Sequence, residues 1–366
     1  MVILLPSHSA WMMKVESFRL IQVRNQADRS FHPKAGINVF LGDNGKGKTN
    51  LLEALDFFSV GKSWRTGKEE DLIMNGKEEG TIMMSFSLRK VLHTIRIRFL
   101  RGYGKKIFIN DNPVQRKDLI GFFKTVLFSP DELQLVKGAP EGRRRFLDME
   151  ISQVNPRYYE ECLRYNRAVM QRNAAFKEAL FTGSSARVDV WDMQIASGAA
   201  YIVRKRMDSI TMMNESVSAM ASRLTGGKET LAMEYLQNQN DKVSCDESWF
   251  LQKLADTREE DARRCRTSVG PHRDDIRFNL NGWDLSRFGS QGQQRTAVLA
   301  LKLGELEFMK QESGEYPVLL LDDVGSELDK KRRKALFQYL ENHGVQTFLT
   351  SSDFSDDDGM MNIVDL

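Results

Sequence analysis

The segment Gly42-Asp-Asn-Gly-Lys-Gly-Lys48-Thr49 constrains this chain more than any other. Its pattern, GxxxxGK followed by Ser or Thr, belongs to loops that wrap phosphates with backbone N–H groups. It stands directly after Ile37-Asn-Val-Phe-Leu41, a compact apolar run suited to a buried strand, and directly before a stretch of helical character from about Lys48 to Phe58. In that order the positive end of the helix faces whatever the loop holds. Gly42, Asp43, Asn44, Gly45, Lys46 and Gly47 are the candidate cradle. Lys48 would reach the β and γ phosphates of ATP, and the Thr49 hydroxyl would ligate Mg2+.

A phosphate loop needs a second strand to complete its site. Pro317-Val-Leu-Leu-Leu-Asp322-Asp323 is an apolar run ending in two acids, as expected of a central parallel strand whose carboxyl end faces the phosphates. Asp322 is the candidate Mg2+ ligand beside Thr49, and Asp323 is placed to polarise an attacking water as general base. Taken singly such a strand is a weak signal, because strand ends often carry solvated acids; the phosphate loop upstream gives it weight. Between the two lies Leu285-Ser-Arg-Phe-Gly-Ser290-Gln-Gly292-Gln-Gln-Arg295, ahead of a helix from about Thr296 to Met309. A Ser-x-Gly turn opening a helix can hold an anion, although alone it reads better as an ordinary Ser N-cap.

Periodicity fills in the rest. Val15–Leu20, Ile95–Phe99 and Lys106–Ile109 alternate as strands do, and Asn110-Asp-Asn-Pro113 supplies a turn. Residues 141–222 carry a single proline, Pro156, and are rich in Arg, Glu, Ala, Met and Leu, which predicts several helices, some long. Strand character returns at Leu231–Tyr235 and Asp275–Leu280, with Asn281-Gly282 a hairpin turn. The last hundred residues alternate helix and apolar strand, Val318–Leu321 and Thr347–Leu349. The expected fold is therefore α/β. An extension over 1–12 precedes a discontinuous head, 13–125 and 266–366, interrupted by a mostly helical lobe, 126–265.

The order of phosphate loop, Ser290-Gln-Gly-Gln-Gln, Asp322-Asp323 and then Ser326-Glu-Leu-Asp329 resembles the ATP-binding-cassette family. There the serine turn of one subunit covers the γ-phosphate held by another. The resemblance adds Ser290 to Lys48, Asp322 and Asp323 as a catalytic candidate, and Ser290, Gly292 and Asp329 to the nucleotide-binding set. The family's switch histidine has no counterpart in Thr347-Phe-Leu-Thr350-Ser-Ser-Asp353, and His343 precedes the strand. Slow hydrolysis is expected, with Thr350 or Ser351 weakly replacing an imidazole.

Further stretches are similar to the RecF family of bacterial recombination proteins: Gly61–Thr66, Val126–Gly138, Arg143–Asp148, Gln171–Ala175, Trp191-Asp192 and Ser268–Asp275. One departure is Val23-Arg-Asn-Gln26 where that family commonly has Phe-Arg-Asn-Tyr, so an aromatic for the base or the sheet edge is missing. Arg24 remains a candidate for the nucleotide phosphates, and reads equally as a surface arginine. The resemblance implies an SMC-like ATP-binding-cassette head with an inserted helical lobe and no long coiled-coil arms. It also implies an ATP-dependent homodimer on DNA at single-strand/double-strand junctions, helping RecR and RecO to load RecA.

Basic clusters at Arg143–Arg145, Arg204–Arg206, Arg263–Arg266 and Lys330–Lys334 could contact phosphates without reading sequence, and each reads more simply as a solvated helix face. Those in the helical block are the preferred DNA contacts. A net charge of +3 is too small to require a polyanion. The three cysteines form no CxxC pair, which argues against zinc and disulfides and for a reducing, cytoplasmic setting. No apolar stretch reaches the ~20 residues needed to cross a bilayer, and the apolar Met1–Ala10 lacks the leading positive charge of a secretory signal. A transporter ATPase subunit and a small-molecule P-loop kinase are the competing readings. The first needs a membrane partner; the second leaves Ser290–Gly292 and Ser326–Asp329 without a role.

Overall fold

The computed structural model describes residues 13–183, 187–238, 242–323, 330–352 and 361–366. The extension 1–12 and the segment Ser326-Glu-Leu-Asp329, with its candidate Asp329, lie outside them.

Among the described residues fourteen strands form three sheets. The central one is parallel and five-stranded, in the order β14 (Asn362–Asp365), β3 (Ile37–Leu41), β13 (Thr347–Ser351), β12 (Val318–Leu321), β8 (Thr125–Phe128). Its inner strands are buried on both faces, which is why they read as unbroken apolar runs. Alternate residues of β12 serve different cores: Val318 and Leu320 one, Leu319 and Leu321 the other.

Against the first face lie helix Lys48–Val60 and a six-stranded antiparallel sheet, ordered β2 (Gln26–Phe31), β1 (Lys14–Val23), β4 (Glu79–Leu88), β5 (Val91–Leu100), β6 (Gly104–Ile109), β7 (Asn112–Val114). Two of its hairpins turn on consecutive positive-φ residues, Arg89-Lys90 and Asn110-Asp111. The sequence announces only the second, because Arg and Lys are not turn formers. Against the other face lies helix Gln291–Ser313, then the long helices Pro140–Val154, Pro156–Thr182 and Asp189–Thr225. Pro140 and Pro156 each open a helix, where a missing N–H costs nothing.

A three-stranded sheet, β9 (Leu231–Leu236), β10 (Asp275–Leu280) and β11 (Trp283-Asp284), spans residue 266. A boundary drawn there cuts a paired sheet, and helix Gln291–Ser313 shares its core with the helical lobe rather than with the antiparallel sheet. Among the described residues the cysteines are free, and no helix is long and apolar enough to cross a membrane.

Candidate active site

The phosphate loop lies between the carboxyl end of β3 and helix Lys48–Val60. That helix has Gly47 as N-cap, no side-chain cap and no acid in its first turn, so its leading N–H groups and positive dipole end stay available to an anion. Gly47 sits at φ 95°, where side chains are strained, and a Cβ there would run into the Asn25 and Gln26 side chains, so glycine suits the position. Asn25 donates to the Gly45 carbonyl at 3.3 Å and Gln26 to the Lys46 carbonyl at 3.3 Å. Thus Gln26, standing where an aromatic was expected, braces the loop. Lys48 donates to the carbonyls of Gly42 and Asp43, which holds its ammonium at the loop's mouth.

The second half of the site arrives through the sheet. β13 pairs with both β3 and β12, so the ends of all three strands come together. Thr49 Oγ1 donates to Asp322 Oδ1 at 3.0 Å, joining residues 273 apart in sequence. Thr350 Oγ1, at the end of β13, donates to the same carboxylate oxygen at 2.7 Å and accepts the Asp323 N–H at 2.9 Å. Burial pushes the Asp322 carboxyl above its usual range, while the Thr350 and Thr49 hydroxyls favour its charged form. A neighbouring cation would complete that compensation. A hydroxyl and a carboxylate oxygen are hard donors suited to Mg2+, which takes one or two carboxylates and leaves the rest to phosphate and water. No group of three or more His, Cys, Asp or Glu suited to a metal occurs among the described residues. Asp323 is exposed, with a left-handed backbone at φ 52°.

Arg24 lies beside this frame, committed to Glu53 on the phosphate-loop helix through Nε at 3.0 Å and Nη2 at 2.7 Å. Glu53 is buried and also takes Arg65 at 3.3 Å and the Ser63 hydroxyl. Arg65 reaches Asn50 Oδ1 at 2.6 Å as well, next to the loop. Sequence reading passed over Arg65, although the Gly61–Thr66 stretch that carries it was visible.

Behind the helix lies a second buried cluster. Lys302 of helix Gln291–Ser313 is 3.0 Å from Glu132 and 3.2 Å from Glu305, close to Glu150 and Asp56. Burial pushes Asp56 up to about 7, against a hydrogen bond from Thr125. Burial likewise raises Glu150 and Glu305. Although burial opposes its charge, Glu132 and Glu305 hold the Lys302 ammonium above its ordinary range.

Ser290 is not part of this arrangement. It caps helix Gln291–Ser313 in a capping box with Gln293, Ser290 N to Gln293 Oε1 at 2.9 Å and Gln293 N to Ser290 Oγ at 3.3 Å. Ser290, Gln291 and Gly292 are exposed, and a Cβ on Gly292 would meet nothing within 4 Å. Gln293 turns to Glu229, and Gln294 donates to the Gly289 carbonyl at 2.9 Å, which fixes the turn from below. The turn thus combines the cap reading with an accessible, rigid surface. His343 ends helix Lys330–His343, its Nδ1 on the Tyr339 carbonyl, away from the strand ends.

A phosphate loop and an acid-tipped neighbouring strand on one parallel sheet, an antiparallel sheet on one side and a serine turn carried by a helical lobe on the other, define an ATP-binding-cassette head of the SMC type. The comparisons agree. Residues 12–363 match the family model described as the RecF/RecN/SMC N terminal domain. The DNA replication and repair protein RecF of Alkaliphilus oremlandii is 41% identical over 350 residues, 93% of each chain, and that of Halothermothrix orenii 40% identical over 351, again 93% of each. A solved structure of the recombination mediator protein RecF with ATP, in the RecFOR pathway, superposes with TM-score 0.89 at 31% identity, over 96% of this chain and 95% of that one. The Smc head domain of Pyrococcus furiosus, at 14% identity and TM-score 0.55, shares the fold over 93% of this chain and 90% of its own. The chain belongs to the RecF family.

Proposed function

We propose that this protein is an ATP-switched DNA-binding protein of recombinational repair and replication, a slow, DNA-stimulated ATPase. The observation that carries the reading is the Thr49–Asp322–Thr350 junction, which joins the phosphate loop to the acid-tipped strand and to β13. The loop N–H groups and Lys48 bind the triphosphate. Thr49 and Asp322 would hold Mg2+, which would supply positive charge beside the triphosphate. Asp323, its N–H anchored on Thr350, accepts a proton from the attacking water. Thr350 has no basic nitrogen to offer there, which supports a slow reaction serving as a timer.

A solved RecF carries ATP, which supports ATP here. The exposed Ser290 turn lies outside the Thr49–Asp322 junction, which supports its use on the nucleotide of a second copy. ATP then closes a homodimer on DNA with a single-strand/double-strand junction, and hydrolysis opens it. With RecR and RecO, the protein promotes loading of RecA. The test is nucleotide-dependent assembly: sedimentation should show monomers with ADP and dimers with ATP, and Ser290→Arg should stay monomeric while still binding ATP. A Ser290→Arg protein that dimerises normally would contradict the shared site.

A further inference from the structure

The sequence places arginines in runs, and the structure sorts them. Arg143 pairs with Asp275 at 2.7 Å, and Arg206 is fully enclosed, forked onto Asp148 at 2.9 Å from both Nε and Nη2. These two are internal braces, so the clusters Arg143–Arg145 and Arg204–Arg206 cannot face DNA as units. Their neighbours behave differently.

A cleft of about 420 Å3 lies in the helical lobe between helices Pro140–Val154 and Pro156–Thr182 and the Pro271-His272 turn. Its inner wall is chemically closed. Arg206 also donates to the Pro271 carbonyl at 2.8 Å, and His272 Nδ1 meets the Tyr165 hydroxyl at 2.5 Å while its Nε2 meets the Thr267 carbonyl at 3.1 Å. His272 is therefore a neutral imidazole, pushed down to about 4 by burial.

The mouth is not closed. Arg144 gives one hydrogen bond, to the Asp274 carbonyl at 2.7 Å, and Arg145 is exposed with no acid partner among the described residues. Next to His272, Arg273 spends Nε and Nη2 on the Thr267 carbonyl, and the exposed Arg266 again has no acid partner among the described residues. The nearby acids are engaged: Asp275 with Arg143, Asp274 with Tyr235 and the Asn238 N–H, Asp261 with Arg172. Of the two acids lining the cleft, Asp148 is taken by Arg206 and Tyr158, which leaves Glu141 at the rim against these guanidiniums. Burial, followed by neighbouring guanidiniums, pushes both Arg144 and Arg273 down. Like charges that outnumber the free acids beside them are costly, and an anion relieves the cost.

The cleft is also too large and too apolar for a phosphate alone. Tyr159, Met149 and Leu163 line it, and the Tyr159 hydroxyl is fixed by Arg116 at 3.1 Å. Its volume falls within the roughly 300–1,000 Å3 of small-ligand sites. A base stacked inside a duplex cannot enter such a cleft, whereas an unpaired one can be splayed into it and laid against an aromatic ring.

We propose that this cleft takes one nucleotide of an unpaired DNA strand, its phosphate on Arg144 and Arg145 and its base against Tyr159 and Leu163. The proposal rests on the DNA-binding reading above and gives the single-stranded side of a junction a place on the molecule. Nothing about it requires a particular base.

The experiment compares a blunt duplex with the same duplex carrying a single-stranded tail, by fluorescence anisotropy of the full chain with ATP. Arg144→Ala/Arg145→Ala should lose at least about tenfold in affinity for the tailed DNA and less than twofold for the blunt one. Tyr159→Leu should lose about fivefold on the tailed DNA alone, in line with one lost stacking contact. Arg145→Ala serves as the second variant, since its side chain is exposed and holds no internal bond. Equal losses on both DNAs would make the rim an ordinary duplex contact and overturn the proposal. Unchanged binding of both would remove DNA from the cleft while leaving DNA binding intact. Failure of the unaltered protein to bind either DNA would instead sink the DNA-binding reading itself.

Discussion

Lys48 donates to two carbonyls of its own loop, so a bound triphosphate exchanges those neutral acceptors for charged oxygens. Hydrogen bonds to charged groups are worth about 1.5–3 kcal/mol. Lys48→Met should therefore weaken ATP roughly 10–100-fold by equilibrium titration, and unchanged affinity would remove Lys48 from the site. Asp323→Asn should leave ATP affinity nearly intact and cut turnover by about 10²–10⁴, the usual range for a lost general base; comparable turnover would reassign the base. At this scale the sequence was most legible where a motif fixes spacing, as in Gly42–Thr49 and Asp322-Asp323. It was least legible where a side chain acts through burial. The Arg24–Glu53–Arg65 group could not be foreseen, because a glutamate on a helix announces neither its depth nor its two partners.

Helix Gln291–Ser313 links an exposed Ser290 at one end to the buried Lys302–Glu305 pair about three to four turns on. Asp56 faces Lys302, Glu132 and Glu305, with Thr125 donating to its carboxylate. Its folded value of about 7 lies above the ~3.9 of an unfolded aspartate, so the folded chain keeps a proton that the unfolded chain releases. That contribution to stability is complete below about pH 4 and is lost as pH rises through 7. Glu150 and Glu305 shift in the same sense. The melting temperature should fall between pH 6 and pH 8, and Asp56→Asn should flatten the slope; a steeper slope in the variant would contradict the assignment. Elements of this length were readable from periodicity, and the helical block 141–222 emerged as expected. Strand β14 did not, since four residues, Asn-Ile-Val-Asp, carry too little pattern to distinguish a sheet edge from a tail.

At the scale of the molecule, many stretches that mark the family join its parts. Arg172 is fully enclosed and bridges Asp192 and Asp261 at 2.6 Å each, tying three helices of the lobe, while the Arg206 bond to the Pro271 carbonyl and the Arg143–Asp275 pair fasten that lobe to the segment Ser268–Asp275. Removing one partner of such a buried group strands charge and costs about 3–5 kcal/mol. Arg172→Met should lose that much in chemical denaturation, and a loss below 1 kcal/mol would mean that Asp192 and Asp261 find other partners. The two-lobed plan was legible in the alternation of strand and helix patterns. The pairing of β9 with β10 across residue 266 was not, because strand pairing is a long-range property with no local signature. In the proposed function, ATP gripped between the phosphate loop and the Ser290 turn of a second copy gates the hold on DNA. Affinity for a gapped DNA, measured by fluorescence anisotropy in ATP and in ADP across a salt series, tests it most directly. Binding should be tight and salt-sensitive with ATP and weak with ADP; equal affinity in both nucleotides would mean that ATP does not gate DNA binding.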